Sequence, residues 1–322
     1  MTHKVIIDTD PGIDDTMAIA YAIAHPEIDL LALTTIFGNV SVAEATDNAL
    51  SLLDYFGFQA DVAMGETRPL EMEPKPHSYF VHGRNGLGDV EIPKSANHPV
   101  DMSAAEYLVE KTRELPGEIT ICAVGPLTNL ARALQLDPGI AERVKCVSIM
   151  GGAIYRPGNV SPVAEANVWN DPHAAEIVFA ANWPVVLAPL DVTTKVVLSP
   201  HFFADLEDAA PRMGKLLSDM ARFYSRFYLS HSGINGCIPH DVMALAWLTI
   251  PGVYMQKHGS IATVTRGPGI GQTLFNPTGK PTIDPMWAER PQHLALLDID
   301  VGFFAAHYFS TIAGRPSEHI GD

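Results

Sequence analysis

The chain has 322 residues, 47% of them hydrophobic, with 25 glycines and 25 prolines. This composition excludes a disordered chain and is typical of a globular enzyme with many turns. The chain carries 21 basic against 37 acidic residues, a net charge of −16, and it has no Lys/Arg-rich run. Such a charge disfavours binding to nucleic acid or to an anionic membrane, so we expect neither as a partner.

The N-terminus and the cysteines indicate the compartment. The N-terminus enters a predicted strand without a signal-peptide pattern, and no apolar stretch reaches the ~18 residues that suggest a membrane span. We therefore expect a cytoplasmic protein. The cysteines, Cys122, Cys146 and Cys237, are odd in number and lack CxxC spacing. This pattern argues against a disulfide framework or a zinc cluster and favours buried free thiols.

The segment Lys4 to Asp15, KVIIDTDPGIDD, predicts a buried strand, a tight turn and a helix. Val5 to Ile7 is a short β-branched run typical of parallel sheets, and Pro11 and Gly12 end it. The apolar run Thr16 to Ala24 is long enough for a helix that packs on a sheet. The turn therefore gathers four aspartates, which are Asp8, Asp10, Asp14 and Asp15.

Four carboxylates this close together repel one another unless some are protonated or a cation lies among them. A hard divalent cation is the simplest remedy, so we interpret the turn as a metal site. An alternative is that Asp14 caps the helix while Asp8 and Asp10 are solvated turn residues. That alternative accounts for one or two of the carboxylates but not for all four.

Strands and helices alternate along the rest of the chain, which favours a single doubly wound α/β domain over residues 1–322, with a mostly parallel central sheet flanked by helices. The later strands are predicted at 30–37, 118–124, 144–150, 184–190 and 260–264, with one more from about residue 293. The later helices are predicted at 42–56, 106–115, 130–136, 172–181, 213–229 and 242–248, with one more at the C-terminus. Asn39 follows the second strand, so we expect it at the same sheet edge as the aspartates.

Three segments each admit two interpretations. Residues 65–101 are irregular, with His82 to Gly88 at their centre, and they form either a binding loop or a solvated excursion. The helix 213–229 carries aromatic residues at spacings of three and four, which favours a core stripe first and a face for stacking a planar ligand second. His240 and Asp241 begin a helix, where they are either functional or simple caps.

Other motifs are excluded by their spacing. The aspartate run is not an EF-hand, because Ile19 stands where that loop requires a Glu. Gly267 to Gly271 lacks the spacing of a dinucleotide-binding loop, and the sequence has no P-loop. A nucleophile pair of Cys237 and His240 is conceivable, but a cysteine beside a proline-ended loop is more often inert.

The chain resembles the inosine-uridine-preferring nucleoside hydrolases. Its N-terminal DTDPGIDD is that family's signature, and further matches are TTIFGNVS at 34–41, VGPLTN at 124–129, MGGA at 150–153, EANVWNDP at 165–172 and PHDVMALAW at 239–247. The resemblance implies a calcium-dependent enzyme that hydrolyses the N-glycosidic bond of ribonucleosides to ribose and a free base. It also implies a role in purine and pyrimidine salvage and, by analogy, a homodimer or homotetramer.

The matching positions imply where calcium binds and which residues are catalytic. They place Ca²⁺ between Asp10, Asp15, the main-chain carbonyl of Val124 and Asp241, with water and two ribose hydroxyls completing the site. Asp10 is implied to take a proton from the bound water, and His240 is the candidate acid that protonates the departing base. Family members often have Thr where this chain has Val124, but any residue supplies a main-chain ligand.

The same resemblance implies which residues bind the substrate. The positions expected at the ribose are Asp14, Asn39, Met150, Asn159, Glu165 and Asn167. His82, Phe227 and Tyr228 are expected to contact the base, and the resemblance does not fix which base is preferred.

Two other functions are open to test. An aspartyl-phosphate phosphatase would use Asp8 as its nucleophile, but Gly12 stands where such enzymes usually carry Thr or Val. A calcium-dependent nucleoside-binding protein without turnover would keep the same pocket. Because Asp10 and His240 are both present, the sequence gives no reason for lost turnover.

Overall fold

The computed structural model describes residues 2–278 and 283–314. Nine strands in these residues form one sheet, in the order β3-β2-β1-β4-β5-β6-β9-β7-β8. The strands are β1 (His3–Thr9), β2 (Ile28–Thr35), β3 (Asp61–Met64), β4 (Ile119–Ala123), β5 (Cys146–Met150), β6 (Val185–Ala188), β7 (Tyr254–Thr263), β8 (Thr273–Pro277) and β9 (His293–Ile299).

Helices connect most of the strands and cover the sheet. They are α1 (Ile13–Ala24), α2 (Val42–Phe56), α3 (Tyr79–His82), α4 (Ala104–Glu114), α5 (Thr128–Leu136), α6 (Ile140–Arg143), α7 (Ala166–Asn170), α8 (Pro172–Ala180), α9 (Leu190–Thr193), α10 (Pro200–Ala209), α11 (Met213–Ser232), α12 (Val242–Thr249) and α13 (Val301–Ala313). None of these helices combines the length and the hydropathy that crossing a bilayer requires.

The sheet is buried on both faces. Successive side chains of β1 point to opposite sides, so Val5 and Ile7 join a different hydrophobic cluster from Ile6. The first cluster includes residues of α1, α11 and α12, and the second includes residues of α5 and α8. Burial on both faces explains why β1 reads as a continuous apolar run rather than as an alternating one.

The predicted parallel sheet is confirmed for seven strands, because β3, β2, β1, β4, β5, β6 and β9 pair in parallel. The alternation of strand and helix does not extend to the end of the chain. β7 runs antiparallel to both β8 and β9. β8 lies in the Gly/Pro-rich stretch at 265–285, where no strand was predicted. Most of β8 is only half-buried, so its sequence lacks a strong apolar pattern. Part of that stretch, 279–282, lies outside the described residues.

The pairing of β1 with β2 contains a bulge. Val5 pairs with Leu30 and Ile6 pairs with Ala32, which leaves Leu31 as an extra residue in β2. Beyond the bulge the register is regular, and Thr9 lies opposite Thr35. The loops that follow β1 and β2 therefore leave the sheet side by side, and the loop after β4 leaves at the same edge.

Candidate functional site

Asp15 organises the turn between β1 and α1. Its Oδ1 accepts a hydrogen bond from Thr9 Oγ1 at 2.6 Å, and its Oδ2 accepts one from the main-chain N–H of Gly12 at 2.9 Å. Gly12 is the N-cap residue of α1, and Asp15 completes the cap from the third helical position. The alternative that Asp14 caps this helix is therefore wrong, and the Asp14 carboxylate takes no part in the cap.

Asp10 lies at the end of β1 with one oxygen held and the other open. Its Oδ2 accepts a hydrogen bond from the N–H of Asn39 at 2.6 Å, which confirms that Asn39 joins the aspartates at this edge. Its Oδ1 is buried and has no hydrogen-bond partner among the described residues. A buried carboxylate oxygen without a partner is costly unless a proton or a ligand satisfies it, and Asp8 Oδ2 is buried in the same way. At Asp10 the neighbouring carboxylates of Asp14 and Asp15 favour a cation as that ligand.

Two glycines allow the Asp10 carboxylate to lie where it does. A Cβ at Gly38 would lie 2.0 Å from Asp10 Oδ2, and a Cβ at Gly125 would lie 2.6 Å from Asp10 Oδ1. Neither gap admits a side chain. Gly38 and Gly125 lie in the loops that follow β2 and β4, so each strand that flanks β1 is followed by a glycine that makes room for this carboxylate.

Three further carboxylates converge beside Asp10. Ligand atoms of Asp14, Asp15 and Asp241 all lie within 4.8 Å of one another, and all three residues are buried. Burial raises the pKa of Asp10, Asp14 and Asp241 well above the ordinary value, and the neighbouring carboxylates raise it further. A divalent cation would reverse this effect by favouring the charged forms, and hard carboxylate oxygens suit it. The donor set therefore fits a metal ion.

Asp8 does not belong to this group. Its Oδ1 accepts hydrogen bonds from Thr34 Oγ1 at 2.5 Å and from Asn129 Nδ2 at 2.8 Å, and it is fully buried. Burial raises the pKa of Asp8 to about 7. One of the four aspartates of the turn is thus held by neighbouring polar side chains, and the other three face the cluster.

Asn167 connects the ends of β4 and β5. Its Nδ2 donates to the carbonyl oxygens of Val124 at 2.8 Å and Met150 at 3.2 Å. The carbonyl expected to bind calcium thus already accepts one hydrogen bond, and a carbonyl oxygen has a second lone pair for a cation.

Glu165 and Asn159 continue this side of the site. Glu165 is buried, caps α7, and accepts hydrogen bonds from the N–H groups of Gly152 and Asn167. Burial raises its pKa. Asn159 is exposed, and its Oδ1 accepts a hydrogen bond from the N–H of Ala166 at 3.0 Å. The structure therefore brings Glu165 and Asn167 together and leaves Asn159 at their periphery.

His82 reaches the aspartates from the irregular segment 65–101. It ends the short helix α3, is buried, and its Nδ1 accepts a hydrogen bond from the N–H of Ile13 at 3.2 Å. The same nitrogen lies 3.8 Å from Asp14 Oδ1. Desolvation lowers the pKa of His82 to about 3, so the ring is neutral at pH 7. At least this part of the segment is a component of the site rather than a solvated excursion.

A chain of side-chain hydrogen bonds runs from Asp14 to His240. Tyr224 donates its hydroxyl hydrogen to Asp14 Oδ2 at 3.4 Å, and Tyr228 donates to Tyr224 at 3.2 Å. The Tyr228 hydroxyl also lies 2.8 Å from His240 Nε2, and Thr193 Oγ1 lies 2.7 Å from His240 Nδ1. Desolvation lowers the pKa of His240 to about 3.

The aromatic side chains of α11 belong both to the core and to the site. Tyr224 and Tyr228 are buried, as a core stripe requires, yet their hydroxyls join the site. Phe227 is half-buried, and its ring lies 5.9 Å from that of Phe80, which is 66% exposed. The Phe80 and Phe227 rings form the exposed end of this aromatic group.

Gly38, Tyr224 and Thr193 are components of the site that were not predicted from the sequence. Tyr224 precedes Tyr228 by one helical turn, so its direction could have been inferred from that spacing. Gly38 stands directly before Asn39 in a segment already recognised. Thr193 gave no signal, because a Thr in the run Asp191 to Lys195, DVTTK, is compatible with a buried or an exposed position.

Comparison with known proteins decides the family. The profile described as "Inosine-uridine preferring nucleoside hydrolase" matches residues 5–306. The chain belongs to this family. Curated relatives include uridine nucleosidase 1 of Arabidopsis thaliana, 43% identical over 275 residues that cover 85% of this chain and 82% of the relative. A non-specific ribonucleoside hydrolase of Escherichia coli is 37% identical over 83% of this chain and 86% of that protein.

Solved structures agree with this assignment to the nucleoside hydrolases. A plant nucleoside hydrolase superimposes with a TM-score of 0.95 at 37% identity, covering 98% of this chain and 100% of the other. A purine-preferring ribonucleoside hydrolase from Gardnerella vaginalis gives 0.91 at 31% identity, covering 97% and 98%. This chain is therefore an enzyme that hydrolyses ribonucleosides, and both the phosphatase and the binding protein without turnover are set aside.

The glycine next to Asp10 supplies a first prediction. Gly38→Ala places a methyl group against Asp10 Oδ2, so the carboxylate has to move, and we expect ribonucleoside hydrolysis to fall about tenfold or more. The control is Gly252→Ala, because a Cβ at Gly252 meets no atom within 4 Å. Release of ribose and thermal unfolding are measured for both variants. Equal activity of the two variants would contradict the importance of this contact.

Proposed function

We propose that the protein is a calcium-dependent hydrolase that cleaves the N-glycosidic bond of ribonucleosides to give ribose and a free base. The observation that carries this proposal is the convergence of the buried carboxylates of Asp14, Asp15 and Asp241 close to Asp10. Ribonucleoside hydrolysis itself follows from the family, and the proposal adds the cation and the roles of individual residues.

The residues that would hold the cation are Asp10, Asp15, Asp241 and the carbonyl of Val124. All four oxygens belong to the hard type that calcium prefers, and calcium tolerates six to eight of them, which leaves positions for solvent and ribose. When bound, the cation lowers the pKa of a coordinated water and binds ribose hydroxyls. Asp14 lies within the same group and is our candidate for gripping a ribose hydroxyl.

Asp10 is proposed to remove the proton from the attacking water. Its Oδ2 is fixed by Asn39, so its Oδ1 is the atom free to accept that proton. Cleavage builds positive charge on the ribosyl ring, and the neighbouring carboxylates stabilise this charge in a site from which water is largely excluded. The same cluster thus serves the nucleophile and the electrophilic sugar.

Ribose recognition is proposed for the polar residues around the cluster. Asn39 donates to Asp15 Oδ2, next to Asp14. Glu165 and Asn167 lie at the end of β5, where Asn167 contacts the carbonyl and the sulfur of Met150. Asn159 reaches a ribose hydroxyl only if its loop approaches, because it is exposed here.

The departing base is proposed to contact His82, Phe227 and Tyr228. His240 is our candidate acid. Among the described residues it makes no hydrogen bond to a carboxylate of the cluster, and it is linked to Asp14 through Tyr228 and Tyr224. Its lowered pKa favours a neutral ring in the free protein. We therefore propose that hydrogen bonds donated along this chain stabilise the base as it leaves.

The broader properties are also proposals. The relatives are named for uridine, for non-specific and for purine-preferring activity, so we propose both inosine and uridine as substrates to test. We further propose a single domain, because one sheet runs through the described residues. A cytoplasmic role in nucleoside salvage, as a homodimer or homotetramer, completes the proposal by analogy with the family.

The role of Asp10 is tested by comparing substitutions at Asp10 and at Asp8, two residues earlier. Asp10→Asn keeps the shape of the side chain but removes the proton acceptor, so we expect release of ribose from inosine and uridine to fall at least about a thousandfold. Asp8→Asn is the matched control, because Asp8 is equally buried, bonds to Thr34 and Asn129, and lies outside the cluster. We expect this variant to keep activity within about threefold. Substantial turnover by Asp10→Asn in calcium would refute the role of Asp10 as base.

Cation binding is tested through stability. Raised carboxyl pKa values mean that the folded protein keeps protons that the unfolded chain releases, so without metal its stability falls as pH rises above the ordinary carboxyl pKa of about 4. Asp241→Asn removes one charge, and we expect a higher Tm than wild type in chelator at about pH 8, with a smaller difference at about pH 5.

Calcium should reverse that ranking. Binding to the folded state raises the Tm of the wild type, and more at the higher pH, because protons compete with the cation for the same oxygens. Asp241→Asn should show little calcium-dependent shift. Calorimetric or fluorescence melting curves with calcium, magnesium and chelator measure all of this. A wild-type Tm insensitive to calcium at both pH values would count against the site.

A further inference from the structure

The hydrogen-bond chain from Asp14 to His240 has a direction. When a bound cation keeps Asp14 ionised, its carboxylate can only accept, so Tyr224 uses its single hydroxyl hydrogen on Asp14 Oδ2. Tyr228 uses its own hydrogen on Tyr224. The Tyr228 oxygen can then take part in its 2.8 Å contact with His240 Nε2 only as an acceptor. His240 Nε2 therefore carries a hydrogen.

The other ring nitrogen must then accept a hydrogen bond. A neutral imidazole has one N–H, and here that group is at Nε2, so Nδ1 is an acceptor. Thr193 Oγ1 lies 2.7 Å from Nδ1 and bonds to no other atom among the described residues. Its hydroxyl hydrogen is thus available to Nδ1, and hydrogen bonds are donated in sequence from Thr193 through His240, Tyr228 and Tyr224 to Asp14.

Thr193 is held in a defined place. It is fully buried and ends the short helix α9. Asp191, two residues earlier, accepts hydrogen bonds from the N–H groups of Ile154 and Tyr155 at 2.8 Å each, which ties α9 to the loop after β5. The hydroxyl of Thr193 is therefore presented to the ring from a fixed backbone rather than from a mobile loop.

From this geometry we infer that Thr193 is a positioning residue for ribonucleoside hydrolysis, which fixes the proton of His240 on Nε2 and so keeps the hydroxyls of Tyr228 and Tyr224 donating in the direction of Asp14. The inference rests on the proposed cation, which keeps Asp14 ionised, and on the proposed role of His240. Without the Thr193 hydroxyl, the ring is free to carry its hydrogen on Nδ1 and to accept at Nε2. Tyr228 would then donate to His240, and Tyr224 would lose the hydrogen bond that it receives.

The test compares substrates that differ in how much help the leaving group needs. Thr193→Val removes the hydroxyl and keeps the shape, Thr193→Ala removes it with less crowding, and Thr193→Ser retains it. We expect kcat for inosine and uridine to fall about tenfold or more in the Val and Ala variants. For 4-nitrophenyl riboside, whose leaving group needs no proton, kcat should change less than about twofold. Thr193→Ser should restore nucleoside turnover to within about threefold of wild type.

Imidazole ¹⁵N chemical shifts provide a readout independent of turnover. In protein labelled with ¹⁵N-histidine, the signals of His240 are assigned by their loss in His240→Gln, and wild type and Thr193→Ser should show hydrogen on Nε2. Thr193→Val should shift the ring toward the Nδ1–H form. Hydrogen on Nδ1 in the wild type would overturn the inference directly.

The outcomes separate this inference from the proposed function. If the wild type releases no ribose from any nucleoside in calcium, the proposed function fails. If the wild type is active and the Val and Ala variants match it on nucleosides, only the role of Thr193 fails. Equal losses on nucleosides and on 4-nitrophenyl riboside would likewise overturn it, because that result indicates a general structural defect. Melting curves of each variant show whether the fold is kept.

Discussion

The mutual repulsion of buried carboxylates is the constraint on which the rest of the site depends. Asp14, Asp15 and Asp241 are placed together by a turn and by a distant helix, where burial and like charge both oppose ionisation. Such an arrangement is stable only with protons or a cation. The surrounding polar groups, those of Thr9, Gly12 and Asn39, donate hydrogen bonds that hold the carboxylates of Asp15 and Asp10 in place. These groups are neutral, so they do not cancel the negative charge.

Much of the fold follows from the sequence because local and global signals agree. The apolar run of β1, the break at Pro11 and Gly12 and the helical spacing of apolar residues in α2 predict their elements directly, and parallel pairing follows from the helices between the strands. β8 could not be predicted in the same way. It is a half-buried edge strand, paired on one side only, so tertiary pairing rather than its own pattern makes it a strand.

The residues of the site also differ in how well the sequence predicts their positions. Asp10, Asp15 and Asn39 lie close in sequence to strand ends, so the position of a strand predicts where each residue lies. Asp8 shows the limit of this reasoning, because its carboxylate is held by Thr34 of β2 and Asn129 of α5, and spacing within β1 does not report such long-range contacts. Thr193 belongs to the site because α9 lies next to His240, a long-range relation that no spacing within the sequence reports.

The bulge in β2 has a consequence for how this protein tolerates change. Leu31 is the residue without a partner, so the pairing before it and the pairing after it are set separately. A length change near Leu31 can be absorbed there, whereas one between Ala32 and Thr35 would invert which side chains face each side of the sheet and carry Gly38 and Asn39 out of reach of Asp10. The bulge at Leu31 thus separates changes of length before β2 from the pairing that positions Gly38 and Asn39.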